Sequence, residues 1–337
     1  MTGQQLKLLC IDGGGVKGLS ALFILRKLME FIDPDDPPKP CDYFDLIGGT
    51  STGGLIAIML GRLEMSVDEC IEQYLILQDK IFKRKHLSPV GCFGGVQGRY
   101  DHTALEDGVK SLLRSKGLEE NALFKNPNKM ACKVFVTATT AGAAETDVLA
   151  SYYRPRGAAE LYNTAKIWEV ARATSAASTF FEPISIGQVG RRFLDGGTGA
   201  NNPVFVLWTE ALNLYCQGTG TQLDDDLNCL VSIGCGLRAL RPFGESASGL
   251  MKTLAGIATE TEATAKSFLE TRPHLYDAGK YHRFSAPSVG DIAMDKPEEK
   301  GVISQQTDHY IAAYETQGRM LLCTKKLPQR ESTSQYH

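Results

Sequence analysis

At 337 residues, with 43% apolar and 22% charged residues, the chain can bury a large core and falls outside the disordered, collagenous and coiled-coil classes. Its 36 basic and 39 acidic residues leave a net charge of −3, so bulk charge gives no reason to expect nucleic acid as a partner. The longest notable uncharged run, residues 46–61, holds 16 residues and five glycines, short of the ~20 apolar residues of a bilayer-spanning helix.

The opening stretch MTGQQLKLLCIDGGG has no basic segment followed by a long apolar one and runs directly into a strand pattern, which predicts a cytoplasmic location. Nine scattered cysteines include no CxxC and no Cys/His pair at zinc spacing, so they read as buried thiols. No cofactor or metal is expected.

Residues 7–11 form a short apolar run that ends in Asp-Gly-Gly-Gly, and residues 16–32 carry Leu22, Leu25, Met29 and Ile32 at helical spacing. Strand, glycine turn and helix follow from that. Residues 33–40 hold four prolines and three aspartates and read as a surface connection. A strand resumes at 44–47, a helix is expected over 52–61, and Ser66 with Glu69 marks a capping box for a helix to about residue 82. Thr103 with Glu106 repeats that signature. Between them, residues 86–99 mix four glycines with Leu87, Val90, Phe93 and Val96, a glycine-rich loop carrying apolar side chains. That loop is a candidate flap or membrane-contact surface, with burial over the core the competing reading.

Further strands are expected at 133–139, 191–194 and 229–233, and a helix at 163–177. Alternating strands and helices imply crossover connections and a mostly parallel sheet covered on both faces. A single domain over residues 1–326 is expected, with 327–337 a disordered tail.

Three short motifs carry the chemistry. Gly49-Thr50-Ser51-Thr52-Gly53 fits G-x-S-x-G between a strand and a helix, the setting of a nucleophile on a sharp turn whose flanking positions tolerate only small side chains. A helix cap at Ser51 is the simpler alternative. Asp12-Gly13-Gly14-Gly15-Val16-Lys17-Gly18 follows a strand and opens a helix, so its N–H groups can form an anion-binding concavity. The same glycines satisfy a dinucleotide fingerprint, although Asp33, Asp35 and Asp36, at the right distance for a ribose contact, sit among prolines with no strand before them. Phe193-Leu194-Asp195-Gly196-Gly197 places a carboxylate at a strand end, or simply a turn.

Together, in this order and spacing, these motifs resemble the patatin-like phospholipase family. The resemblance runs from about residue 6 to at least 206 and includes Ala173-Thr174-Ser175-Ala176-Ala177 and Phe181-Glu182-Pro183, but little is recognisable after about residue 240. It implies a three-layer α/β/α sandwich with a mostly parallel central sheet. It also implies a lipid acyl hydrolase acting without calcium on phospholipids or other acyl lipids, with transient contact to a membrane surface. Carried over by motif, Ser51 is the nucleophile, Asp195 the base, and the N–H groups of Gly13, Gly14 and Gly15 the oxyanion hole, supported by Asp12, Gly18, Gly49, Gly53 and Gly196. Lys17 matches a basic position near substrate phosphate. Ser178 departs from the proline many relatives carry there. An α/β-hydrolase triad remains open, since Ser51, Asp195 and His274, His282 or His309 satisfy its chain order. So does a non-catalytic lipid-binding module, fused to or associated with a larger assembly.

Overall fold

A computed structural model of the chain describes residues 5–81, 100–143, 145–177, 181–218, 220–236 and 249–330. The whole glycine-rich loop at 86–99 and Ser178 lie outside the described residues. In chain order, β1 (Leu6–Ile11) leads into α1 (Gly18–Ile32) and β2 (Leu46–Thr50) into α2 (Thr52–Ala57), followed by α3 (Val67–Ile81) and α4 (His102–Ser115). β3 (Lys133–Thr140) and β4 (Thr146–Ala150) precede α5 (Ala159–Thr164) and α6 (Ile167–Thr174), and β5 (Ile184–Ile186) and β6 (Arg191–Asp195) precede α7 (Gly197–Ala200) and α8 (Val204–Ala211). α9 (Leu223–Asp226), β7 (Leu227–Ile233), α10 (Gly249–Thr271), α11 (Pro273–Asp277), β8 (Tyr281–Phe284), α12 (Lys300–Ala312) and α13 (Tyr314–Thr324) follow.

Five strands run parallel in the order β3-β2-β1-β7-β8. β4 and β6 both pair antiparallel with β3, and β5 extends β6. Because side chains alternate along a strand, β1 divides its residues between two cores. Leu9 and Ile11 pack with apolar residues of α1, α2, α3, α4, α6, α12 and α13, whereas Leu6, Leu8 and Cys10 pack with those of α8, α9, α10 and α11. The result is a three-layer α/β/α sandwich. On the second face Phe268 of α10 is fully buried, with ring centroids 5.3 Å from Phe205, 5.7 Å from Trp208 and 5.3 Å from Tyr281. Burying one such ring stabilises by ~1.5–3 kcal/mol, which docks α10 firmly on the sheet.

The sheet departs from expectation at its edge. β4, β5 and β6 are antiparallel, and the short strands β4, β5 and β8 carry too little pattern to be found from sequence. The helix expected at 52–61 is α2 followed by a π-helical turn, Ile58–Arg62. The capping box at Ser66 and Glu69 forms in both directions, at 2.8 and 3.1 Å. α4, however, is capped by Asp101, whose carboxylate accepts the Thr103 N–H at 3.0 Å. Two residues of the expected tail, Leu327 and Arg330, are held against the rest of the chain. Leu327 is buried, and the Arg330 guanidinium donates to Asp45 Oδ1, the Cys41 carbonyl and the Met130 carbonyl at 2.9–3.0 Å.

Candidate active site

Ser51 occupies the turn between β2 and α2 with φ 54° and ψ −124°, a conformation that costs an L-residue ~1–3 kcal/mol. Close packing enforces it. A side chain at Gly49 would stand 2.2 Å from the Gly53 carbonyl oxygen, and one at Gly53 would stand 2.4 and 2.5 Å from those of Ile11 and Asp12. Only hydrogen fits at either position. The Ser51 N–H donates to Thr174 Oγ1 at 2.9 Å, so the last residue of α6 holds the turn from the other side. Ser51 does not cap α2 with its side chain; Oγ instead donates to Asp195 Oδ2 at 2.7 Å.

Strand register explains how residues 144 positions apart meet. β3 pairs with β4 over Phe135 to Thr139 and with β2 over Lys133 to Thr137, so those two neighbours take opposite edges. β6 pairs with Ala138 to Thr140 and overlaps β4, so it must share the β2 edge, just beyond the end of β2. Thr50 lies opposite Thr137 and Asp195 opposite Ala138. The two strands therefore run toward each other and end at adjacent rungs, delivering serine and aspartate to one point. Thr50 Oγ1 and Thr137 Oγ1 lie 2.6 Å apart beneath them.

Asp195 is 5% exposed, and its second oxygen, Oδ1, accepts the Gly197 N–H at 2.6 Å. Burial pushes its carboxyl up to about 6, partly offset by the hydrogen bonds from Gly197 and Ser51. At neutral pH the group is ionised yet a stronger base than an exposed aspartate. Gly196 packs on the Thr137 backbone.

The glycine loop lies against Ser51, since a side chain on Gly13 would stand 3.2 Å from Ser51 Cβ. Gly15 has φ +58°, and a Cβ there would stand 2.1 Å from the Met294 carbonyl oxygen. The three N–H groups differ in availability. That of Gly13 donates to the Asn201 carbonyl at 3.0 Å and that of Gly14 to Thr52 Oγ1 at 3.1 Å, whereas that of Gly15 has no hydrogen-bond partner among the described residues. Gly18 opens α1 against Tyr74, whose hydroxyl donates to the Gly15 carbonyl at 2.5 Å.

Lys17 is 3% exposed, with Nζ 3.5 Å from the Gly290 carbonyl oxygen, so its ammonium lies beneath the loop and not at the surface. The aspartates at the distance of a ribose contact do not stand at the end of a strand, where a dinucleotide site requires one. Asp33 follows the end of α1, where its carboxylate accepts the N–H groups of Asp35 and Asp36 at 3.0 and 3.1 Å. Nor does a histidine complete a triad among the described residues. His274 pairs with Asp224, His282 Nε2 lies 3.0 Å from the Gly279 carbonyl, and His309 stands exposed on α12. Sequence reading missed Thr52, Thr174, Asn201 and Arg283. Thr174 and Asn201 lay in or just after recognised motifs, but nothing local marked Arg283.

One group of described residues has metal-ligand chemistry. Cys229, His282 and Cys323 bring their ligating atoms within 4.8 Å of one another, all buried, between β7, β8 and α13. A structural zinc takes four protein ligands, and no fourth joins these three among the described residues. The eight described cysteines are free thiols, all but Cys216 buried. No helix among the described residues is long and apolar enough to cross a membrane.

Residues 9–208 match the family described as patatin-like phospholipase. Calcium-independent phospholipase A2-gamma of Mus musculus is 28% identical over 99% of this chain and 42% of its own length. Patatin-like phospholipase 1 of Plasmodium falciparum is 26% identical over 91% of this chain and 47% of its own. The cGAMP-activated phospholipase of Vibrio cholerae is 27% identical over 60% of this chain and 57% of its own. The chain thus spans about two fifths of the length of the A2-gamma relatives. Among solved structures, VipD from Legionella pneumophila aligns over 94% of this chain and 67% of its own with a TM-score of 0.39 and 10% identity, too distant to add to the argument. With the three motifs in place on a mostly parallel sandwich and the family match covering residues 9–208, the chain belongs to the patatin-like phospholipase family, a family of hydrolases.

Proposed function

We propose that the chain hydrolyses carboxylic ester bonds of phospholipids through an acyl-enzyme on Ser51, with Asp195 as the general base. Ser51 Oγ attacks the ester carbonyl while its proton passes to Asp195 Oδ2, and the developing oxyanion takes the N–H groups of the glycine loop. Asp195 then protonates the departing alcohol and activates the water that releases the fatty acid. The observation that carries this reading is the Ser51 hydroxyl itself, held on a strained turn, leaving α2 uncapped and donating to a buried aspartate at 2.7 Å. Of the three N–H groups expected to receive the oxyanion, that of Gly15 is open among the described residues and that of Gly14 is bonded to the Thr52 hydroxyl, a partner the oxyanion would replace. Gly13 contributes by holding the loop, because its N–H is engaged by a backbone carbonyl.

Phospholipid is the favoured substrate class because the three relatives named above are phospholipases by name. Calcium independence rests on the dyad, which needs no metal-bound water, and on the sequence, which offers no D-x-[DN]-x-[DN]-G loop. A transient encounter with a membrane surface follows from the aggregated state of such lipids. The test is fatty-acid and lysolipid release from a mixed panel of phospholipid, galactolipid and triglyceride vesicles in excess EDTA, read by mass spectrometry, with Ser51→Ala as control. Ser51-dependent release of fatty acid from phospholipid supports the reading. Undiminished release by Ser51→Ala, or release only after calcium is restored, contradicts it.

A further inference from the structure

Asp12, the first residue of the glycine motif, is fully buried, and every one of its polar atoms is engaged by a residue beyond position 208, where the family match ends. Its N–H donates to the Ile233 carbonyl at 3.0 Å, and its own carbonyl accepts Cys235 Sγ at 3.3 Å. Its carboxylate receives both arms of one guanidinium, Arg283 Nη1 to Oδ1 at 3.1 Å and Nη2 to Oδ2 at 2.6 Å. Arg283 projects from β8 and also donates to Ser232 Oγ at 2.9 Å and to Glu262 Oε1 of α10 at 2.5 Å. The preceding residue of α10, Thr261, accepts Asn201 Nδ2 at 2.8 Å on its hydroxyl and Asn202 Nδ2 at 3.1 Å on its carbonyl. Asn201 in turn grips Gly13 twice, by its carbonyl at 3.0 Å and its side-chain amide at 3.1 Å.

Two strings of contacts thus run from adjacent residues of α10 to adjacent residues of the loop: Glu262 to Arg283 to Asp12, and Thr261 to Asn201 to Gly13. A planar guanidinium held by two carboxylates fixes orientation as well as charge, which an ammonium cannot do. Such a pair adds little net stability once desolvation is counted, and here Arg283 Nε is buried with no hydrogen-bond partner among the described residues. What it supplies is geometry.

We propose that Arg283 and Glu262 are positioning residues for the oxyanion loop, a clamp through which the C-terminal part of the chain sets the aim of the Gly14 and Gly15 N–H groups at Ser51. The proposal rests on the Ser51 reading above and adds to it residues that the motifs do not contain. Neither residue touches substrate. Both act through Asp12, whose displacement moves the donors that follow it, and a misplacement of ~1 Å in a catalytic group can cost ~10²-fold in rate.

The test compares the full chain with Arg283→Lys and Glu262→Gln on a soluble short-chain p-nitrophenyl ester, together with amide hydrogen exchange of the peptide covering residues 12–17. Arg283→Lys keeps the charge and loses the fork, so kcat should fall about 10²-fold with KM within about twofold, and loop exchange should quicken while β2 stays protected. Glu262→Gln, at the solvent edge of the cluster, should show the same pattern at about a tenth of the size. It carries the test if Arg283→Lys does not fold. Unchanged kcat and loop exchange in whichever variants fold would overturn the proposal, as would a lower thermal midpoint with unchanged kcat, which marks a merely structural pair. If Ser51→Ala retains wild-type hydrolysis, the dyad reading fails instead, and the exchange measurement still decides whether Arg283 and Glu262 hold the loop.

Discussion

The serine turn and the glycine loop face each other across the same small space, and they are secured in different ways. Ser51 is forced into its conformation by backbone contacts at Gly49 and Gly53 and is held by Thr174 and Asp195, all inside the matched residues 9–208. The loop has intrinsic freedom at three consecutive glycines and relies on distant anchors: Asn201, Ile233, Cys235, Arg283 and the Met294 carbonyl, which accepts the Val16 N–H at 2.9 Å. Steric necessity makes the first rigid, whereas long-range hydrogen bonding makes the second precise only when the rest of the chain is folded around it.

Asp195→Asn separates chemistry from stability most sharply. The amide can keep the bonds to Gly197 and Ser51 but cannot take the proton, so turnover should drop by ~10⁴, read as kcat on a soluble ester. Stability should move the other way. The folded pKa is raised from 3.8 to about 6, so stability is lost as pH rises from about 4 through 6, and the ionised form is the disfavoured one at pH 7. Removing that charge should stabilise the protein by ~1–2 kcal/mol at pH 7, seen as a higher thermal midpoint than wild type.

On the loop side, Gly15→Ala introduces a Cβ at φ +58° against the Met294 carbonyl. Displacement of an oxyanion donor should cost ~10²-fold in kcat with little change in KM, without the gain in stability expected at Asp195. A result within a few-fold of wild type would show that the loop is not the oxyanion site.

The pH profile tests which carboxyl governs the rate. For wild type, kcat/KM should fall about tenfold per unit below an apparent pKa near 6, because Asp195 must be ionised to act as base. The residual rate of Asp195→Asn should lack that limb. The smallest effects belong to the histidines: His274→Ala, His309→Ala and His282→Gln should each leave kcat/KM within about twofold, where loss of a true general base costs ~10²–10⁴. A larger drop at one of them would restore the triad reading.

How much of this was legible in sequence follows from the same contrast. The G-x-S-x-G spacing announces the serine turn because its steric demands fall on positions two residues either side, and β1, β2, β3 and β7 show as apolar runs because both faces of the sheet are covered. The end-to-end meeting of β2 and β6 on one edge of β3 was not readable, since register across 144 residues leaves no local mark. Nor was Arg283, whose partner Asp12 lies 271 positions away. Lys17 shows what a motif leaves unsaid: the match to a basic position near substrate phosphate carried no sign that the side chain is 3% exposed, with Nζ 3.5 Å from the Gly290 carbonyl.

The most direct measurement of the central claim is active-site labelling with a fluorophosphonate, with the adduct mapped by peptide mass spectrometry in wild type, Ser51→Ala and Asp195→Asn. The account predicts a single adduct on Ser51, none in Ser51→Ala, and labelling slowed at least ~10²-fold in Asp195→Asn because the hydroxyl has lost its base. An adduct on another residue that persists in Ser51→Ala together with ester hydrolysis, or equal labelling rates in wild type and Asp195→Asn, would contradict it.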